Sequence, residues 1–182
     1  RRPLRQILLG LALIYTVGNL CASLTSSYWL LLGARFVSGL PHGAFFGVGS
    51  IVAERVAEKG RGAEAVSLMI AGMTIANLLG VPLGTLLSHL ASWRLPFLFN
   101  AAWGVLVFVL IRRWVPVLEA LPDTGLRGQF RFLRRREAWL LILTTMLGNG
   151  GVFCWFSYVT PQMTVEGGFA PGSMTVIMVL AG

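Results

Sequence analysis

The sequence predicts an all-α membrane protein, a bundle of helices that crosses the bilayer several times. Three observations predict it. Apolar residues make up 55% of the chain and charged residues 12%, with a mean hydropathy of +0.74, where a soluble domain carries roughly 25% charged residues. The apolar residues fall in runs of about the 20 that one helical crossing needs. The lysines and arginines stand between those runs instead of covering one face of a folded surface, which excludes the nucleic-acid binder that a net charge of +8 would otherwise suggest.

Taken in order, the runs place spans at 6–24, 28–53, 65–90, 95–111 and 138–160, and a sixth opens at Ser173 and continues to Gly182. The first run follows "RRPLR", which is like the charged start of a signal peptide, but it is longer than such a peptide's apolar core and further spans follow directly. Membrane strands alternate apolar and polar residues over about ten positions. These runs are continuous and longer. The chain opens on Arg1 instead of methionine and ends inside an apolar run, so it is expected to be a piece of a longer protein.

Orientation follows from the rule that cations accumulate in cytoplasmic loops. Thirteen of the fifteen lysines and arginines lie in the N-terminal flank, in the loop after the second span (Arg55, Lys59, Arg61) or after the fourth. The alternate connections hold only Arg94, and the fifteenth is Arg35. The start of the chain is therefore expected on the cytoplasmic side of the membrane. The domain reading is a first group of four spans (1–111), a basic cytoplasmic linker (112–137) with seven arginines, and the start of a second group (138–182). A short helix on the membrane surface is expected near "GQFRFLRRR", with anionic lipid headgroups as its partner.

Cys21 and Cys154 lie in separate spans and read as buried thiols. His42 and His89 stand in no metal-binding motif, and the chain has no nucleophile elbow or Walker loop. No residue set calls for an enzyme, a metal or another cofactor.

The chemistry concentrates in three spans. Arg35 interrupts an uncharged run, where a centrally placed cation costs at least ~2.5 kcal/mol. On a helix, positions four apart share a face, and Gly39, Gly43 and Gly47 follow Arg35 at that step. Small residues so spaced let neighbouring helices approach, and Pro41 would kink the run and free a carbonyl. Arg35 lies about 10 Å along the axis from Trp29, in one half of the membrane. It either satisfies carbonyls at a helix junction or relays charge beside a watery cavity, and the second reading leads because charges inside membranes are usually functional. His42 reads as an interhelical hydrogen-bonding residue, with titration as the alternative.

The third span repeats the device, with Gly72, Ala76, Gly80 and Gly84 at steps of four and Pro82 breaking the helix. Thr74 and Asn77 are candidates for a substrate cavity or for ordinary hydrogen bonds between helices. In the fifth span Asn149 sits among Gly148, Gly150 and Gly151, followed by Trp155, Phe156 and Tyr158. Asn149, Trp155 and Tyr158 are further cavity candidates, and Tyr158 fits the interfacial aromatic belt as well.

In combination, "GARFVSGLPHGAFFGVGSIV", "GMTIANLLGVPLGTLLSHLASWR" and "FLRRREAWLLILTTMLGNGGVFCWFSYVTPQM" resemble the major facilitator superfamily, specifically its drug:proton antiporter group and the arabinose-efflux-permease-like branch. The resemblance covers essentially the whole chain, which would run from helix three to helix eight of twelve. It implies a partial major-facilitator fold with inverted triple-helix repeats. Arg35, Gly39 and Gly43 match the helix-four motif, whose arginine is implicated in proton coupling. Gly72, Gly80, Pro82 and Gly84 match the antiporter motif of helix five, except that Val81 splits its Gly-Pro pair and Thr85 replaces a glycine. Arg1 and Arg2 look like the tail of the loop motif between helices two and three.

The implied function is secondary active transport by alternating access: proton-coupled efflux of small molecules such as sugars, sugar derivatives or amphipathic drugs, by a monomer. A reading from another class is a non-transporting membrane protein, a sensor or an assembly factor. All seven carboxylates lie in loops or at helix ends, so an acidic coupling residue would have to stand outside these spans.

Overall fold

The computed structural model describes residues 3–90, 92–120, 131–174 and 176–177, the side chains of 89, 90 and 171 excepted. Among them six α-helices form and no strand: α1 (Leu4–Leu24), α2 (Tyr28–Gly39), α3 (Pro41–Val56), α4 (Gly62–Leu90), α5 (Leu95–Trp114) and α6 (Arg136–Pro161). α2 and α3 form one span, Tyr28–Val56, so five segments are long and apolar enough to cross a membrane. The chain divides into two compact units, one built on α1 to α5 and the other on α6 and its flanking turns. Arg1, Arg2, most of the sixth apolar run and the linker residues 121–130 lie outside the described residues.

Helix boundaries follow local chemistry. α1 stops where Thr25 turns extended and its hydroxyl accepts the Ser27 N–H at 3.2 Å. The turn between α3 and α4 places Gly60 at φ 86°, a left-handed conformation that favours glycine. Arg61 then pairs with Glu64 at 2.7 Å and Glu58 at 3.4 Å, which raises its affinity for its proton. α5 opens with Pro96, whose missing N–H is harmless in a first turn.

The two interior prolines behave differently. At Pro41 the span breaks into α2 and α3, because proline offers no N–H to the Val37 carbonyl. α4 continues through Pro82, and the Thr85 hydroxyl donates to the Val81 carbonyl at 3.0 Å just beyond it.

Several helices outrun their apolar cores. α5 continues to Trp114 and α6 starts at Arg136, because backbone hydrogen bonding proceeds into the headgroup region where side chains are already charged. Arg112 and Arg113 sit in the last turn of α5, where cations complement the helix dipole. The short helix expected near 128–136 is, in its described part, a 3-10 helix of a single turn (Arg131–Arg134). Arg135 is extended, with φ −91° and ψ 135°, and separates the turn from α6.

Within the first unit α1 is the hub, packed against α5, α2 and α3, while α4 packs on α3 and α5. Leu4, Leu8 and Ala12 form a stripe at steps of four and bury themselves with Val52 and Ile111. Arginines tie the antiparallel α1–α5 pair at both ends. Arg5 donates to the Arg112 carbonyl, and Arg94 donates to the Thr25 carbonyl at 3.2 Å and the Ser26 hydroxyl at 2.8 Å. Both thiols are exposed instead of buried, because their helix faces meet no packed neighbour within their units.

Candidate functional site

Two residues near the C-terminal end of α1 prepare a place for Arg35. Gly18 is buried, and a Cβ there would fall 2.7 Å from Ser38 Cβ, so glycine lets α2 come close. Asn19, fully buried beside it, donates its amide N–H to the Tyr15 carbonyl at 2.9 Å. That bond sets the amide's direction and leaves Oδ1 facing Arg35 Nη1, 3.4 Å away.

From the other side α5 contributes Phe97, whose ring centroid lies 5.4 Å from Arg35 Cζ, a cation–π contact. α5 is held close because Gly104 faces Tyr15 and Thr16 with no room for a Cβ. The guanidinium thus joins α1, α2 and α5 while Arg35 stays exposed. The Asn19 oxygen and the Phe97 face are each of the kind that contributes about 1 kcal/mol. Together they offset part of the cost of a charge within a span, and the guanidinium has no further partner among the described residues.

The remaining candidates are more dispersed. His42 is exposed and stands edge-on to Phe46, with ring centroids 5.1 Å apart. A Cβ added at Gly39, Gly43, Gly47, Gly72, Gly80 or Gly84 would meet nothing within 4 Å, whereas Pro41 and Pro82 are buried. Thr74 and Asn77 are exposed on α4. In the second unit, Asn149 donates to the Thr145 carbonyl at 3.0 Å, and Trp155 stands edge-on to Phe156. Tyr158 lines a shallow depression with Pro161, Gln162, Val165 and Glu166.

Among the described residues no carboxylate lies in a helix interior: Glu54 is in the last turn of α3, and Glu64 and Glu137 are in the first turns of α4 and α6. The same residues gather no set of metal ligands.

Asn19, Phe97, Gly18 and Gly104 were missed in the sequence. A signal existed in the small residues of "GNLCAS" and "NAAWG", spaced three or four apart, but they carry no charge and have no proline beside them to draw attention.

Comparison with known proteins adds an independent line. "Putative transporter AraJ" of Escherichia coli (strain K12) is 48% identical over 182 residues, covering 100% of this chain and 46% of its own length. Inner membrane transport protein YdhP of the same strain is 35% identical over 181 residues, 100% of this chain and 46% of its length. Purine ribonucleoside efflux pump NepI of Escherichia coli O157:H7 is 28% identical over 178 residues, 98% of this chain and 45% of its length. The chain thus spans less than half the length of these relatives. The model of the Major Facilitator Superfamily matches residues 1–182. With five apolar helices long enough to cross a membrane and a family match over its whole length, the chain belongs to the Major Facilitator Superfamily.

Proposed function

We propose that the full-length protein is a proton-coupled exporter of small molecules in a bacterial inner membrane, working by alternating access. The observation that carries this reading is Arg35, a charge within a membrane span, held by Asn19 and Phe97 yet open on its remaining side. An arginine so placed raises the acidity of a carboxylate brought against it, so a proton leaves in one conformation and returns in the other. The relatives' names extend the substrate panel: purine ribonucleosides join the sugars, sugar derivatives and amphipathic drugs that the sequence resemblance implies. Residues 1–111 contribute to one transmembrane half, 112–137 form a cytoplasmic linker, and 138–182 open the other half. Thr74, Asn77, Asn149, Trp155 and Tyr158 are the cavity candidates. The glycine stripes of α2, α3 and α4, with open space above them here, face helices of the complete protein or a gate between conformations.

The test is proton flux in proteoliposomes containing the full-length protein, driven by inosine, arabinose or ethidium in turn. We expect at least one to elicit flux, and Arg35→Ala to abolish it. Flux that survives Arg35→Ala unchanged removes Arg35 from the coupling path while leaving transport standing. A second reading, a non-transporting sensor or assembly factor, draws on the absence of a carboxylate from the helix interiors among the described residues. It takes over if none of the three compounds moves protons or is itself moved.

A further inference from the structure

The basic segment before α6 has a defined shape that the transport reading does not use. Arg131–Arg134 is a single 3-10 turn, closed by the Arg135 N–H on the Phe132 carbonyl at 3.0 Å. Trp139, one turn into α6, donates its indole N–H to the Leu133 carbonyl at 2.8 Å and pins the turn against the helix start. In such a turn the side chains at i and i+3 eclipse, which places Arg131 and Arg134 on one edge. Arg135 and Arg136 follow directly, and all four arginines are exposed.

This arrangement is unfavourable in isolation. Four like charges stand within six residues, at the start of a helix whose dipole also presents positive charge. Glu137 is the sole acidic residue in the first turn of α6, and the ion pairs among the described residues involve Arg61 alone. An anion relieves the repulsion, and a guanidinium fork is suited to phosphate oxygens in pairs.

The source of the phosphate follows from the aromatic residues on the same turn. Phe132 is 52% exposed and Trp139 51% exposed, and the apolar run of α6 starts beside them. Aromatic rings next to a membrane span settle at the boundary between headgroups and acyl chains, which sets the arginines at the depth of lipid phosphates. We propose that Arg131, Arg134, Arg135 and Arg136 form a binding site for the phosphate of an anionic phospholipid. Phe132 and Trp139 rest among its acyl chains, and the Trp139 bond to Leu133 holds the turn in register. The site is independent of what the protein transports.

The test is native mass spectrometry of the full-length protein, released from detergent containing equal amounts of phosphatidylglycerol and phosphatidylcholine. We expect retained phosphatidylglycerol to exceed phosphatidylcholine by on the order of tenfold. Changing the four arginines together to glutamine should abolish the preference, and changing them to lysine should restore part of it. Trp139→Leu keeps every charge and should still weaken the preference, so it decides the matter if the glutamine variant does not fold. A preference that survives both the glutamine variant and Trp139→Leu overturns the proposal. Displacement of phosphatidylglycerol by millimolar inorganic phosphate also overturns it, because the site would then take soluble phosphate.

Discussion

At the scale of single residues, contacts separate the glycines into two kinds. Gly18 and Gly104 are where α1 meets α2 and α5, and a methyl group at either position collides with a neighbour. Gly33 has open space around it. Gly18→Ala and Gly104→Ala are each expected to destabilise the full-length protein by about 1–3 kcal/mol, the usual range for overpacking, and more than Gly33→Ala, which meets no neighbour among the described residues. Thermal unfolding in detergent checks this, and equal midpoints for all three variants would contradict the packing derived for α1. Arg35 was legible in the sequence because a charge in an apolar run is conspicuous. Asn19 was not, since a single asparagine in a membrane helix is unremarkable until its fully buried amide is seen facing the guanidinium.

At the scale of elements, the break at Pro41 stands out. The Leu40 N–H still reaches the Phe36 carbonyl at 3.2 Å, but the next bond of the ladder cannot form. Pro41→Ala supplies the missing donor to Val37 and removes a residue that costs a helix interior about 3 kcal/mol. The unfolding midpoint is expected to rise. Substrate-driven proton flux is expected to fall if the break serves as a hinge beside Arg35. A lower midpoint would mean that buried Pro41 contributes more by packing than its ring costs the helix. Hydropathy located the five spans among the described residues within a few residues, but it ended them where charges begin, because it reads side chains and not backbone hydrogen bonds. The short helix at the linker's end was legible for a related reason, but not its 3-10 form or its single described turn. Its composition suits an amphipathic surface helix, and the extended backbone at Arg135 is not encoded in composition.

At the scale of the whole molecule, the asymmetry of basic residues predicts a definite orientation. On a background in which Cys21, Cys154 and any cysteine elsewhere in the full-length protein are replaced by alanine, Ser27→Cys in the α1–α2 loop should react with a membrane-impermeant maleimide in intact cells. Lys59→Cys in the α3–α4 loop should react only after the membrane is opened. The opposite pattern would place the linker and the N-terminal flank outside the cytoplasm, and the lipid site in the other leaflet.

By itself the sequence determined the class, the five spans among the described residues and the family to which the chain belongs. Apolar runs of bilayer length leave the backbone no alternative to helix, and the glycine, proline and arginine motifs are local in the chain. Which glycines make contact, which face of α1 becomes the hub, and what holds Arg35 were decided only by tertiary structure. Those outcomes depend on α1, α2 and α5 meeting at one depth. Asn19 and Phe97 are 78 positions apart in the chain and reach one guanidinium only when the helices pack.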